Sequence, residues 1–300
     1  MNGAGPVEIA GRTLRLSNLH KVLWPEARIT KGDLIAYYRA VAPALLPHLA
    51  GRPLTLARFP DGIHGPGWYQ SNCRGNPEWV RIAEIPSRAG GTLRYCVVED
   101  EASLVWVVNL GTIELHPFLA PAERPQCPHA AVFDLDPGLP ATARDAARVA
   151  LIIRDRLAAL GLEGSPKTSG RLGLHVYVPT GGSHTYDQAR AFARALAAEV
   201  ARAHPDLVVE RMSRADRAGR VYIDWGQNHP LKSTIAPYSL RAWPMPQAST
   251  PLQWEELDRA VGGDPWPLGA RSPTELLRRL DRYGDLFAPV IQRVQRLPEW

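Results

Sequence analysis

Lysine is scarce in this chain of 300 residues. Of its 35 basic residues only four are lysines, at positions 21, 31, 167 and 232, so arginine supplies nearly every cation. Each lysine is therefore a candidate for a specific contact rather than background charge. The net charge of +5 favours a polyanionic partner only weakly, because many basic proteins bind none.

Cysteines are also few, and long apolar runs are absent. Cys73, Cys96 and Cys127 lack metal-ligand spacing and leave one thiol over in any disulfide scheme, which predicts reduced thiols in a bacterial or archaeal cytoplasm. No stretch of about eighteen apolar residues occurs, and the N-terminus has no charged-then-apolar signal. We therefore expect neither export nor membrane anchoring. A hydrophobic content of 45% is sufficient for a sizeable core.

The alternation of apolar and polar residues predicts an α+β fold, with a mostly antiparallel sheet and helices packed outside it. We expect one domain over 1–300, with a smaller N-terminal lobe to about residue 125 and a catalytic lobe from about 126. The predicted helices cover 31–49, 101–110, 142–160 and 186–203, and short helices follow between 254 and 296. The predicted strands cover 53–59, 79–85 and 93–99 and surround Phe133, His175 and Asp224.

Three aspartates end short apolar runs. Asp134 and Asp136 lie in FDLDPG (133–138), and Asp224 lies in VYIDW (221–225). Side chains two apart in a strand point the same way, so Asp134 and Asp136 would converge. Such carboxylates repel each other unless cations neutralise them, and their oxygens favour Mg²⁺ or Mn²⁺. By itself, however, Asp-Pro-Gly equally describes a turn at a strand end.

Between these aspartates lies SGRLGLHVYVP (169–179), a glycine-bearing loop that enters a strand. Its backbone N–H groups, Ser169, Arg171 and His175 can bind phosphate oxygens. Further along, Lys232 and Arg241 flank a predicted strand and can neutralise a triphosphate. In the alternative interpretation, His175 is a structural histidine and the two cations belong to a solvated strand edge.

In their order along the chain, FDLDPG, SGRLGLHVYVP and VYIDWGQNHPLKSTIAPYSLRA resemble the polymerase domain of bacterial ligase D, a member of the archaeo-eukaryotic primase superfamily. The similarity runs from about residue 8 to the C-terminus, through LHKVLWPE, ITKGDLIAYY, LAGRPLTLARFPDG and ELHPFLA. The resemblance implies a primase-polymerase fold.

The same resemblance implies a DNA-repair polymerase that adds nucleotides, preferably ribonucleotides, to primer 3′ ends at gaps and double-strand breaks in non-homologous end joining. Asp134, Asp136 and Asp224 would hold two Mn²⁺ or Mg²⁺ ions. The residues that would bind the incoming nucleoside triphosphate are His116, Ser169, Arg171, His175, Arg217, Gln227, Lys232 and Arg241. His116 is equally compatible with a structural role.

Asn18, Lys21 and Lys31 match the family's pocket for the 5′-phosphate on the far side of a gap. Thr30 and Asp33 form a capping-box pattern, so a helix N-terminus is predicted beside the two lysines, and such a terminus attracts phosphate. Two solvated lysines on a basic protein are the alternative.

Three aromatic residues are candidates for a contact with the bases of the DNA template. Phe59, Trp68 and Tyr69 lie in a glycine-rich segment, and rings presented from such a segment can stack on template bases. Burial in a core is the commoner fate of a single aromatic ring. The aromatic pair of the family matches Trp68 and Tyr69.

The chain departs from the family at two cations. Leu172 stands where the family's loop carries a lysine, and Ser71 stands where a lysine follows the aromatic pair. Arg171 can replace the first charge, although a shift of one residue on a strand reverses its face. The segment 86–91 fits either a loop that bridges broken ends or an ordinary turn.

No Lys-x-Asp-Gly motif for ligation occurs. We therefore expect either a stand-alone polymerase that works beside a separate DNA ligase and the end-binding protein Ku, or an excised domain. The alternative functions are a primase that starts chains without a primer, a metal-dependent nuclease and a degenerate DNA-end-binding module.

Overall fold

The computed structural model describes residues 3–87, 90–210, 215–264, 268 and 271–299. Two residues of the segment 86–91, at positions 88 and 89, lie outside the described residues, and so does part of the stretch between 254 and 296. Within the described ranges, no helix combines the length and the apolar character needed to cross a membrane.

The elements alternate irregularly along the chain, as in an α+β fold. The strands are β1 (Gly3–Ile9), β2 (Arg12–Ser17), β3 (Val22–Trp24), β4 (Ile29–Thr30), β5 (Pro53–Arg58), β6 (Trp68–Gln70), β7 (Ile82–Pro86), β8 (Thr92–Val97), β9 (Thr112–Pro117), β10 (Ala130–Pro137), β11 (Ser165–Thr168), β12 (Leu174–Pro179), β13 (Val208–Val209), β14 (Val221–Asp224), β15 (Leu240–Arg241) and β16 (Gln247–Ala248). The helices are α1 (Lys31–Leu49), α2 (Glu101–Asn109), α3 (Ala143–Ala159), α4 (Tyr186–Ala203), α5 (Trp254–Gly262), α6 (Pro273–Tyr283) and α7 (Pro289–Gln292).

The chain divides into two compact units. The first contains Met1–Glu123, Ser233–Ala248 and Arg271–Gly284, and the second contains the remaining segments, Arg124–Lys232, Ser249–Ala270 and Asp285–Trp300. The boundary near residue 123 is close to the predicted one. The division differs from the prediction in that two C-terminal segments belong to the first unit. The backbone explains the first of them, because Ala236 N–H donates to the carbonyl of Leu115 in β9.

In the first unit, helix α1 begins as its sequence predicts. The Thr30 side chain accepts a hydrogen bond from Asp33 N–H at 3.2 Å, and Asp33 accepts one from Thr30 N–H at 2.8 Å. This capping box satisfies two donors that a helix start otherwise leaves unpaired. The helix buries one apolar face, including Leu34, Tyr38 and Leu45, in the core of this unit.

The larger sheet of the first unit has the order β6-β5-β8-β7, with β9 also paired to β5. A disulfide joins Cys73, after β6, to Cys96 in β8, and Cys127 is the free cysteine. The expectation that all three thiols are reduced is therefore wrong for this structure. An odd number of cysteines does not prevent two of them from pairing when strand topology brings them together.

The sheet of the second unit has the order β11-β12-β10-β14-β13. Strand β10 pairs antiparallel with β12 and with β14, whereas β13 pairs parallel with β14. Phe133 and Leu135 of β10 are buried in a core with residues of α3 and α4. Because side chains alternate along a strand, Asp134 and Asp136 lie on the opposite face of the sheet.

The pairing of Cys73 with Cys96 can be tested by thiol titration. Protein unfolded without treatment by a reductant should expose one titratable thiol, and prior reduction should raise the number of thiols to three. A covalent bond across a separation of 23 residues should stabilise the fold by about 3 kcal/mol, so Cys73→Ser should lower the free energy of unfolding by that amount. Cys127→Ser is the control and should have little effect. Three titratable thiols before reduction would contradict the pairing.

Candidate active site

The three carboxylates meet on one face of the second unit's sheet. Asp134 in β10 lies directly opposite Asp224 in β14, and Asp136 follows on the same face. The side chain of Asp134 is buried and that of Asp224 is half-buried, whereas Asp136 is exposed. One face of two neighbouring strands therefore holds three acidic groups, although about ninety residues of sequence separate Asp224 from the other two.

Positively charged and polar groups compensate Asp134. His175 Nε2 lies 3.2 Å from one carboxylate oxygen, and Gln227 Nε2 donates to the other at 3.2 Å. Burial alone would raise the pKa of Asp134, but the charge and hydrogen bond of His175, with Lys167 and Gln227, outweigh burial and lower it. Asp134 is therefore held in its ionised form.

The other two carboxylates are less well compensated. Desolvation and then the charges of Asp134 and Asp224 raise the pKa of Asp136 to about 7, with Arg217 opposing them. Water screens part of this repulsion, since the Asp136 side chain reaches solvent. The pKa of Asp224 is also raised, first by burial and then by Asp134, although Lys232 Nζ lies 3.8 Å from its Oδ2 atom and opposes the shift.

The donor set fits a hard divalent cation. The three carboxylates offer oxygen ligands that repel one another, and Mg²⁺ is commonly held by one or two carboxylates together with water and substrate phosphates. Apart from its contact with His175, the buried Oδ1 atom of Asp134 has no hydrogen-bond donor among the described residues. Among the residues that the structure describes, no group of three or more His, Cys, Asp or Glu side chains has the geometry of a metal cage.

The glycine loop of the sequence prediction lies beside these carboxylates. Ser169 accepts hydrogen bonds from the backbone N–H groups of Arg171 and Gly173, at 3.3 and 3.2 Å. A Cβ atom at Gly173 would lie 2.6 Å from the Leu135 carbonyl oxygen, so only glycine permits this approach to β10. The Arg171 and Leu172 side chains are exposed at the loop tip.

Arg217 also reaches the carboxylates through a close approach of backbone. Its carbonyl oxygen would lie 2.1 Å from a Cβ atom at Gly138, the residue that follows β10. The Arg217 guanidinium lies 3.7 Å from the centre of the Tyr222 ring in β14. The second unit thus groups the predicted site residues Asp134, Asp136, Ser169, His175, Arg217, Asp224, Gln227 and Lys232 around one end of β10, with Arg171 at the loop tip.

The remaining two predicted nucleotide residues lie in the first unit, and a glutamate that the sequence analysis missed joins them. Glu114 is almost fully buried, lies 2.8 Å from His116 Nε2 and lies 3.4 Å from an Arg241 nitrogen. It also accepts a hydrogen bond from Ala242 N–H at 2.9 Å. Spacing gives the only available signal, since Glu114 and His116 are two apart in β9 and share a face.

The three predicted template-stacking residues differ in exposure. Trp68 and Tyr69 are 44% and 62% exposed, and the Tyr69 ring meets the His116 ring edge to face at 5.4 Å. Phe59 instead packs against the core of the first unit, and Gly67 lies directly against its ring. The Phe59 side chain is half-buried and the chain at Gly67 covers part of its ring, so less of this ring is open to a base than of Trp68 or Tyr69.

A cavity of about 390 Å³ adjoins the exposed aromatic pair. Its lining residues are Arg58, Trp68, Tyr69, Gln70, Ser71, Asn72 and Arg74. The Arg58 guanidinium lies 5.2 Å from the centre of the Trp68 ring. Two arginines therefore line this cavity together with Ser71.

The structure brings Asn18, Lys21 and Lys31 together through the backbone. Lys21 N–H donates to the Asn18 carbonyl, and Lys31 N–H donates to the Lys21 carbonyl. Lys21 Nζ contacts Asp61 at 2.5 Å, while the buried Lys31 Nζ donates to the Ser17 carbonyl at 2.7 Å. Burial and then the charges of Lys21 and Arg58 lower the pKa of Lys31 to about 8. Asp61 and Ser17 were not predicted from sequence.

The buried Glu114 should contribute strongly to stability. Burial raises its pKa, but the His116 hydrogen bond and the charges of Arg241 and His116 outweigh burial and lower it. Glu114→Gln should reduce the free energy of unfolding at pH 7 by about 3 kcal/mol, because the Arg241 guanidinium and the His116 ring lose their buried carboxylate. A lowered pKa in the folded state means that this contribution is present above the ordinary value of 4.5 and disappears as the pH falls through the folded value.

Denaturant unfolding at several pH values measures this difference. Glu99→Gln, which removes a half-exposed partner of Arg81 in the same unit, is the control and should change stability little. A loss in Glu114→Gln no larger than that in Glu99→Gln would show that the charge of Glu114 contributes little to stability.

Three comparisons with known proteins agree. Residues 30–287 match the family model of the LigD primase-polymerase domain. The chain is 37% identical over 280 residues to the multifunctional non-homologous end joining protein LigD of Mycolicibacterium smegmatis, covering 92% of this chain and 36% of that protein. It is 38% identical to the LigD of Mycobacterium tuberculosis, covering 94% of this chain and 38% of the relative.

A solved structure gives the same answer for the fold. The polymerase domain of Mycobacterium tuberculosis ligase D, in complex with DNA, matches with a TM-score of 0.86 and 35% sequence identity, over 94% of this chain and 99% of that one. This match confirms the predicted α+β primase-polymerase fold. The chain spans less than two fifths of the length of the multifunctional relatives. It belongs to the LigD primase-polymerase domain family.

Proposed function

We propose that this chain is a metal-dependent DNA-repair polymerase that adds nucleotides, ribonucleotides in preference, to primer 3′ ends at gaps and broken DNA ends. The observation that carries the proposal is the meeting of Asp134, Asp136 and Asp224 on one face of two paired strands. Membership of the LigD polymerase family supports nucleotidyl transfer, and the DNA in the matched solved structure supports a DNA substrate.

Asp134, Asp136 and Asp224 would hold two Mn²⁺ or Mg²⁺ ions. When bound, these ions would polarise the attacking 3′-hydroxyl and the departing pyrophosphate. Before they bind, His175 and Gln227 hold the Asp134 carboxylate in place. The side chains would therefore contribute little general acid–base catalysis.

Six residues of the second unit are proposed to bind the incoming nucleotide. In the second unit, Ser169, Arg171, His175, Arg217, Gln227 and Lys232 would contact the triphosphate. In the first unit, His116 and Arg241 would take part, and Glu114 fixes both of them. Arg171 would supply the charge that Leu172 lacks, since both side chains are exposed at the loop tip.

DNA would contact the first unit through two groups. Trp68 and Tyr69 would stack on template bases, because they are the exposed rings of the aromatic segment. Asn18, Lys21 and Lys31 would bind the 5′-phosphate of the downstream strand. Ku and a separate DNA ligase are the further partners that we propose for end joining.

Primer extension on gapped DNA tests the proposal. Wild-type protein should add ribonucleotides faster than deoxyribonucleotides with Mn²⁺ or Mg²⁺, and a chelator should abolish addition. Asp134→Ala and Asp136→Ala should each reduce the rate by about a thousandfold or more, since several kcal/mol of charge stabilisation is lost. DNA affinity should remain within a few-fold of wild type.

Asp155→Ala is the matched control, because Asp155 is a well-exposed aspartate on α3. Products on unprimed single strands would instead indicate a primase. Bound DNA with no addition under any condition would indicate a binding module. Extension by purified Asp136→Ala protein would remove the assignment.

The lowered pKa of Lys31 gives a pH test of the 5′-phosphate contact. An ammonium with a pKa of about 8 loses its charge as the pH rises through that value. The preference for a 5′-phosphorylated over a 5′-hydroxyl gap should therefore be constant near pH 7 and fall above pH 8. Because the preference is a ratio, the pH dependence of the chemical step cancels.

Two substitutions complete this test. Lys31→Arg should keep the preference and make it independent of pH up to about 10, since a guanidinium stays protonated. Lys31→Met should abolish the preference at every pH. A preference that survives in Lys31→Met would place the 5′-phosphate elsewhere.

A further inference from the structure

Four charged or polar residues form one transverse row across the second unit's sheet. Lys167 in β11 lies directly opposite His175 in β12, His175 opposite Asp134 in β10, and Asp134 opposite Asp224 in β14. Directly opposite residues point to the same face of a sheet. The row therefore begins with a lysine that lies outside the family motifs and has no role in the proposed reaction.

Lys167 is fully buried, with an exposed fraction of 0%. Its Nζ atom donates a hydrogen bond to Ser249 Oγ at 2.7 Å and lies 5.8 Å from the centre of the Tyr177 ring. Tyr177 in turn stacks with His175 at 6.2 Å between ring centres. The ammonium is thus enclosed between β11, β12 and the segment that contains Ser249.

Burial of an ammonium is costly unless opposite charge lies nearby. In this row the opposite charge comes from the carboxylates. His175 lies between Lys167 and Asp134 in the row, and its Nε2 atom is 3.2 Å from Asp134. The carboxylates in turn need positive charge nearby, because three acidic groups on one face repel one another. Lys167 at one end and Lys232 near Asp224 at the other therefore bracket the acidic part of the row.

We propose that Lys167 is a positioning residue of the metal site, whose buried ammonium is the internal counter-charge that holds the ionised carboxylate row together before a divalent cation binds. The proposal rests on the proposed metal-dependent function of the three aspartates. A lysine and a metal ion that neutralise the same carboxylates compete with each other, so their effects are coupled with a negative sign.

Substitution of Lys167 by methionine, which has a similar length and no charge, measures this coupling. Lys167→Met should lower the melting temperature of the metal-free protein. It should also tighten Mn²⁺ binding at pH 8 by roughly three- to tenfold, within the range of coupling found between interacting sites. Calorimetric titration of the metal alone gives the affinity without any reliance on polymerase activity.

Two control variants separate charge from packing. Lys167→Arg keeps the charge and should retain wild-type Mn²⁺ affinity. Ser249→Ala removes the acceptor of the Lys167 hydrogen bond, together with the donor to the Thr168 carbonyl, and should change stability but not metal affinity. Reduced stability in Lys167→Met with unchanged Mn²⁺ affinity would overturn the proposal, because it would show that Lys167 only fills space.

A second measurement decides the matter if Lys167→Met does not fold. Asp134→Asn should lower the melting temperature of the metal-free protein, because it deprives Lys167 and His175 of their carboxylate. Relief of repulsion among three aspartates would raise the melting temperature instead, and that result would overturn the proposal. This test does not depend on metal binding. Failure of wild-type protein to bind Mn²⁺ would therefore count against the proposed function and leave the role of Lys167 to this readout.

Discussion

The strand register around β10 is the constraint on which the candidate site depends. With β12 on one side and β14 on the other, this register places Asp134 opposite both His175 and Asp224. A shift of one residue would turn Asp134 and Asp136 into the core and Phe133 and Leu135 out to solvent. The apolar packing of Phe133 and Leu135 against residues of α3 and α4 therefore fixes the position of the carboxylates.

Charge compensation differs between the carboxylates of the site. Asp134 has His175 and Gln227 as close partners, while Asp136 is surrounded mainly by negative charge and has a pKa near 7. A folded protein keeps such an arrangement only at a cost in stability. Binding of a cation removes that cost, so the electrostatics of the metal-free protein already favour a positively charged ligand.

The two departures from the family have different structural settings. Ser71 lines a cavity to which Arg58 and Arg74 also contribute, so that cavity keeps positive charge without the lysine. Leu172 is 55% exposed at the tip of the loop that Ser169 stabilises, beside the exposed Arg171. An exposed leucine leaves Arg171 as the cation at this tip, and a guanidinium binds phosphate with a planar, two-pronged geometry that an ammonium lacks.

The sequence alone was sufficient for the features that local patterns encode. The capping box at Thr30 and Asp33, the helix that follows it, and the shared face of Asp134 and Asp136 follow from interactions between residues at most three apart. The ordered motifs identified the family, and the comparisons confirmed it. Side-chain alternation and helix capping are local rules, so they can be read without knowledge of the fold.

Tertiary structure decided the features that depend on distant pairing. The bond between Cys73 and Cys96, the contact of Gly67 with the Phe59 ring, the return of residues 233–248 to the first unit, and the contact of the buried Glu114 with Arg241 all join residues that local rules do not connect. The row from Lys167 to Asp224 is the clearest case, because it requires the register of three strand pairs at once. Burial and register are properties of the assembled sheet, and no short segment of sequence contains them.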